Sequence, residues 1–214
     1  MKKKVFAVAL AVALIAILVS GTLAYFTAED AVTNTFTIGS VEIEIVEHFE
    51  EPKNLIPVVT VDENDPNYID KIAWVKNTGK NDACVQMYVA IPKALDDVKA
   101  FVVVPSGANT WTGSELVGTA IIARVEYNVY RYRYKGTLAV GAETENVIKA
   151  AYLAPQLDYN HEAKRYVMNG IIISDYIPGE SIDIYVAAQA IQAAGFTDYN
   201  SALDTFTTHP WANQ

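Results

Sequence analysis

Apolar side chains follow two rhythms along this chain. The first is an unbroken run at residues 5–19 (VFAVALAVALIAILV), preceded by Lys2, Lys3 and Lys4 and followed by Ser20, Gly21, Thr22, Leu23 and Ala24. About 15 apolar residues fall short of the roughly 20 that cross a hydrocarbon core. A charged head, an apolar centre and a mostly small exit are the order of a secretory leader. The run therefore predicts a hydrophobic signal-peptide helix over residues 1–24. Ala24 and Thr22 supply the small side chains that a signal peptidase needs, which places the cut before Tyr25; a cut after Gly21 is the nearest competitor.

The second rhythm has a period of two and predicts strands. Phe36 and Ile38 share one parity and Val41, Ile43 and Ile45 the other, with Gly39 and Ser40 between them. One extra residue at a glycine bulge returns all five side chains to one face, opposite Glu42, Glu44 and Glu47. Residues 34–47 thus read as one bulged strand, either an edge strand of its own sheet or a strand offered to a neighbouring subunit. Residues 69–76, the turn 77–82 and the alternating Val85, Met87, Val89 and Ile91 read as a hairpin. A short helical piece at 93–97 follows Pro92, and the continuous apolar residues 101–104 predict a strand covered on both faces.

Residues 121–134 form a strand in this reading, with Tyr130, Tyr132 and Tyr134 on one face and Arg131 and Arg133 on the other. The tyrosines suit cross-strand pairing; an aromatic platform for sugars or a subunit is the alternative. The arginines are candidates to meet the Glu42 and Glu44 face of another strand. Further strands are expected at 146–151, 166–174 and 181–188, with a turn at Pro178-Gly179-Glu180. Thr197 is a candidate N-cap for a helix at 198–206, and 207–214 reads as a loose tail. No internal repeat or low-complexity linker appears, so residues 25–214 are read as a single β domain, with residues 25–47 as its N-terminal segment.

Charge narrows the partners. The formal net charge is −9, and removing a leader with three lysines and no acids leaves −12. So acidic a surface repels nucleic acid and anionic lipid and favours multivalent cations. Cys84 is the only cysteine, which excludes an intramolecular disulfide. It reads as a small apolar strand residue, with an intermolecular bridge or reactive thiol as the alternative.

Candidate chemistry is sparse. His48, His161 and His209 lie far apart in sequence, without the one-turn histidine spacing that aims two imidazoles at one zinc. No Gly-x-Ser-x-Gly elbow and no glycine-rich phosphate loop occurs. Asp62, Glu63, Asn64 and Asp65 offer oxygens suited to calcium, but Pro66 and the missing glycine and distal glutamate break the EF-hand pattern. The pairs Glu50-Glu51 and Asp96-Asp97 read as solvated carboxylates. No catalytic, cofactor-binding or metal residue is assigned, and the chain is not read as an enzyme.

The leader stretch Gly21-Thr22-Leu23-Ala24-Tyr25-Phe26-Thr27, then Asn34-Thr35-Phe36-Thr37-Ile38-Gly39 and the alternation from Val41 to Ile45, resembles the TasA/camelysin class of secreted proteins. Lys76-Asn77-Thr78-Gly79, the run from Tyr130 to Lys135 with Gly141-Ala142-Glu143-Thr144, and Ala188-Gln189-Ala190 up to Phe196 extend the likeness. The resemblance implies an all-β, jelly-roll-like antiparallel β-sandwich with short peripheral helices. It also implies export through a SipW type of signal peptidase, membrane association only before cleavage, and localisation in the extracellular matrix or at the cell surface. The implied partners are further copies of the chain, joined as a homopolymer, and other matrix proteins; no nucleic acid is expected. Phe36, Ile38, Val41, Ile43 and Ile45 are then the candidate assembly strand, freed by cleavage between Ala24 and Tyr25. Camelysin-type proteins also carry a metallopeptidase reading, and a monomeric surface-binding module is a third.

Overall fold

Antiparallel pairing organises the described residues, 40–49, 70–107, 109–173 and 182–212, of a computed structural model. The strands are β1 (Ile43–Phe49), β2 (Asp70–Asn77), β3 (Ala83–Pro92), β4 (Phe101–Pro105), β5 (Glu115–Ile122), β6 (Val125–Arg133), β7 (Ile148–Leu153), β8 (Leu157–Asn160), β9 (Arg165–Met168), β10 (Ile171–Ile172) and β11 (Tyr185–Gln192). Two short helices, α1 (Lys93–Asp96) and α2 (Tyr199–Leu203), accompany them. The expected leader helix, its cleavage pair Ala24 and Tyr25, Phe36, Ile38, the Asp62–Asp65 cluster and the turn at 178–180 lie outside the described residues.

Two four-stranded sheets, ordered β1-β2-β7-β4 and β11-β3-β6-β5, enclose the main core, and β10-β9-β8 form a smaller third sheet. The chain changes sheet at β2 to β3, β3 to β4, β4 to β5, β6 to β7 and between β7 and β11. Such crossing between layers makes the sandwich jelly-roll-like. Val85, Met87, Val89 and Ile91 of β3 face Ala73 and Val75 of β2, Phe101 of β4 and Ile148 of β7 across the interior. All ten residues of β3 are buried, because its even-numbered side chains are also covered, on the sheet's outer face.

The strand pairing corrects the expected hairpin. β2 pairs with β1 and β7, whereas β3 pairs with β11 and β6, so residues 78–82 are an arch between sheets. Locally an arch and a hairpin show the same turn residues, and only the pairing partners of the two strands separate them. The run at 121–134 is likewise broken. Ala123 and Arg124 adopt φ of 48° and 71°, closing a two-residue hairpin between β5 and β6. Side-chain chemistry hides this turn, since primed turns usually carry Asn or Gly. Asn169-Gly170, with φ of 53° and 81°, splits the expected strand at 166–174 into β9 and β10.

The apolar run at 101–104 forms β4, at the end of its sheet order, with only Phe101 fully buried. Helix α2 is capped by Asp198 rather than Thr197. The Asp198 carboxylate accepts from the Ser201 amide at 2.9 Å and Ser201 Oγ reciprocates, a capping box. The expected loose tail is also corrected: Trp211 is 9% exposed and packs with Tyr88, Ala90, Tyr127 and Val129.

Candidate functional site

The seat of β1 brings together Val41, Ile43 and Ile45, the described members of the candidate assembly strand. β1 runs unbroken along β2, from Ile43 opposite Asn77 to Phe49 opposite Lys71, and ends the sheet order. Val41, Ile43 and Ile45 are partly buried against the main core, and Glu42 and Glu44 are exposed. The apolar and acidic faces therefore fall as the alternation requires. The segment forms an edge strand of its own sheet.

What fixes this strand is the arch beside it. Asn77 is fully buried; its Nδ2 donates to the carbonyls of Asn81 and Leu138, both at 2.9 Å, while its Oδ1 accepts from the Gly79 amide at 3.0 Å. That last bond is an Asx turn, in which a side chain replaces a backbone acceptor. The arch then holds the lead-in to β1 by main chain alone. Thr78 N–H donates to the Glu42 carbonyl at 3.0 Å and Lys80 N–H to the Ser40 carbonyl at 2.9 Å. At Gly79 a Cβ would stand 2.6 Å from the Glu42 nitrogen and 2.7 Å from the Ser40 oxygen, so only glycine admits this approach. Asn followed two positions later by Gly was the available sequence signal for this arch.

The tyrosine ladder points inward. Tyr132 is buried, Tyr134 meets Trp111 edge-to-face with centroids 5.4 Å apart, and Tyr130 Oη donates to Asp96 Oδ2 at 2.6 Å. Burial first, and the Asp96 bond second, push the Tyr130 phenol well above its ordinary value. Asp96 is 5% exposed and also accepts from Asn128 Nδ2 at 2.7 Å, which corrects the expectation of a solvated carboxylate. Its neighbour Asp97 lies on the surface, with its carboxyl held below the usual range by Lys93 and then by Asn128. Arg131 pairs with Glu115 at 2.7 Å and Arg133 with Asp204 at 2.6 Å, so both cations of the ladder are engaged inside the chain rather than by Glu42 and Glu44.

The remaining candidates stay apart. His161 stacks edge-to-face on Tyr159 beside the β8–β9 hairpin, whereas His209 lies against Gly118 of β5 in a different sheet. The side chain of His48 lies outside the described residues. Among the described residues no group of three or more His, Cys, Asp or Glu is placed to hold a metal, and no helix is long and apolar enough to cross a membrane. Cys84 is buried among Ala202 and Leu203, and burial followed by the charge of Asp198 raises its thiol pKa. A thiol so held packs as a small apolar side chain. No protein-family model matches the chain, and no curated protein matches it in sequence.

Proposed function

We propose that the chain is a secreted structural protein that polymerises into extracellular matrix or surface fibres by exchange of its first mature strand. The observation that carries this reading is the seat of β1. It is the edge of a sheet, where the strand is held along β2, by backbone bonds at Thr78 and Lys80 and by a few inward apolar side chains. A second copy presenting residues 40–49 makes the same bonds, so exchange exchanges like for like and loses no contact within the seat. The interface is heterologous when one subunit's strand enters the next, and an open filament results unless the rotation closes.

The likeness of the leader to TasA/camelysin proteins supports the same reading, and so does the acidic mature surface, which suits a cation-rich matrix. In this account the leader tethers the strand to the membrane, and cleavage before Tyr25 frees it. The test is electron microscopy and light scattering of the purified chain from Tyr25 onward. Filaments that grow with concentration, folded monomers on deletion of residues 28–46, and binding of a peptide of that segment by the truncated chain are expected. Isolated particles at every concentration, salt and pH would overturn it.

A further inference from the structure

The outer face of sheet β11-β3-β6-β5 is covered by the C-terminal stretch, and that cover is imperfect in an informative way. Ala202 and Leu203 pack on Cys84 at one end, and Trp211 settles among Tyr88, Ala90 and Val129 at the other. Between these apolar anchors the crossing is polar. Arg133 holds Asp204 at 2.6 Å and Asn200 at 3.1 Å, and Gln189 Nε2 reaches the Thr208 carbonyl only at 3.3 Å. Three buried side-chain atoms among the described residues have no hydrogen-bond partner: Gln86 Oε1, Arg133 Nε and His209 Nδ1. Gln86 and Arg133 face one another across β3 and β6, and His209 lies in the covering stretch. All three therefore belong to this one seam.

Beneath the stretch lies a cavity of about 250 Å³ lined by Tyr88, Val117 and Arg131 from the sheet and by Phe206 and His209 from the cover. The imidazole rests where β5 bulges: Gly118, at φ +147°, leaves room for Nε2, which lies 3.7 Å from where a Cβ would stand. The ring also bonds to the Thr119 backbone. The groups facing it are Tyr88 from β3 and Arg131 from β6. Glu115 of β5 is already engaged by Arg131, and Asp204 of the cover by Arg133. No carboxylate lines the cavity, so a proton on the buried imidazole has no counter-charge there.

We infer that residues 204–212 form a releasable strap with His209 as its acid-sensitive latch, and that lifting it uncovers the apolar strip around Tyr88, Ala90 and Val129. The latch does not rest on the fibre reading. Burial lowers the His209 pKa from its ordinary value near 6.5. The closed strap therefore binds fewer protons than the open one, so closure is fully favoured above about 6.5 and weakens as pH falls toward the lowered value. One proton allows at most about a ten-fold rise in the opening constant per pH unit across that window. The Asp198 cap, itself held below the usual carboxylate range by its backbone bond to Ser201, stays charged there.

Hydrogen exchange of the chain from Tyr25 onward, corrected for intrinsic rates, reads this directly at pH 7.5 and 5.0. Amides of 204–212 are expected to lose protection at the lower pH while those of β3 and β6 keep it, and His161→Gln is expected to leave the response intact. In His209→Gln the pH step is expected to vanish. To separate loss of the latch from loss of strap seating in that variant, the His209 ring is also titrated by NMR in the native chain. A midpoint below 6.5 that coincides with the change in strap amides supports the latch. A midpoint at or above 6.5, equal strap protection at both pH values, or a pH step surviving in His209→Gln overturns it.

Discussion

Asn77 shows how much one buried amide can decide. It ends β2, starts the arch, and bonds to Asn81, Leu138 and Gly79 together. The Leu138 carbonyl keeps a second donor in the Ala83 amide, so truncation strands chiefly the Gly79 N–H and the Asn81 carbonyl. A buried group left unpaired costs about 1–3 kcal/mol. Asn77→Ala is therefore expected to lower unfolding free energy by at least ~2 kcal/mol, seen as a fall in the urea midpoint at unchanged slope; a change below ~0.5 kcal/mol would show that the arch does not depend on this side chain. Residue identities were legible where parity alone decides, as at Val85, Met87 and Val89. They were not where a partner far along the chain decides. Asp96 sits in a polar stretch, and its burial depends on Asn128 and Tyr130, more than 30 positions away.

At the scale of elements, alternation located most strands, but their pairing eluded it. The turn chemistry of 77–82 is the same whether the chain folds back or arches over, and the tail at 207–214 looks featureless until Trp211 finds its cluster on the outer sheet face. The edge placement of β1 was one of two readings of the alternation. What the sequence could not supply was the clasp at Gly79, which depends on two segments nearly 40 residues apart. Gly79→Ala puts a methyl group within 2.7 Å of main-chain atoms of Ser40 and Glu42. Backbone cannot yield as a flexible side chain does, so the lead-in to β1 must move. Exchange protection of residues 40–49 is expected to fall in this variant while β3 and β6 stay protected, and filament growth is expected to slow with it. Unchanged protection of 40–49 would remove the clasp from the account.

Over the described residues the molecule is a two-sheet sandwich whose strand β1 is an edge element and whose last segment is a cover, each held by a small set of contacts. No disulfide fixes either, because Cys84 is alone and buried. If the seat of β1 accepts a strand from another copy, the register of β1 on β2 supplies a direct probe. Ile45 lies opposite Val75, both facing the core, and Val75 spends its backbone bonds on Thr144, which makes the pair a non-hydrogen-bonded one. Such pairs bring Cα atoms to about 4.5 Å, within disulfide range. Ile45→Cys and Val75→Cys chains, each also carrying Cys84→Ala, are mixed after leader removal and oxidised, beside the double variant in one chain. Strand exchange predicts covalent pairs joining residue 45 of one chain to residue 75 of another, increasing as filaments grow. Closure within the double variant together with no cross-link in the mixture would contradict it.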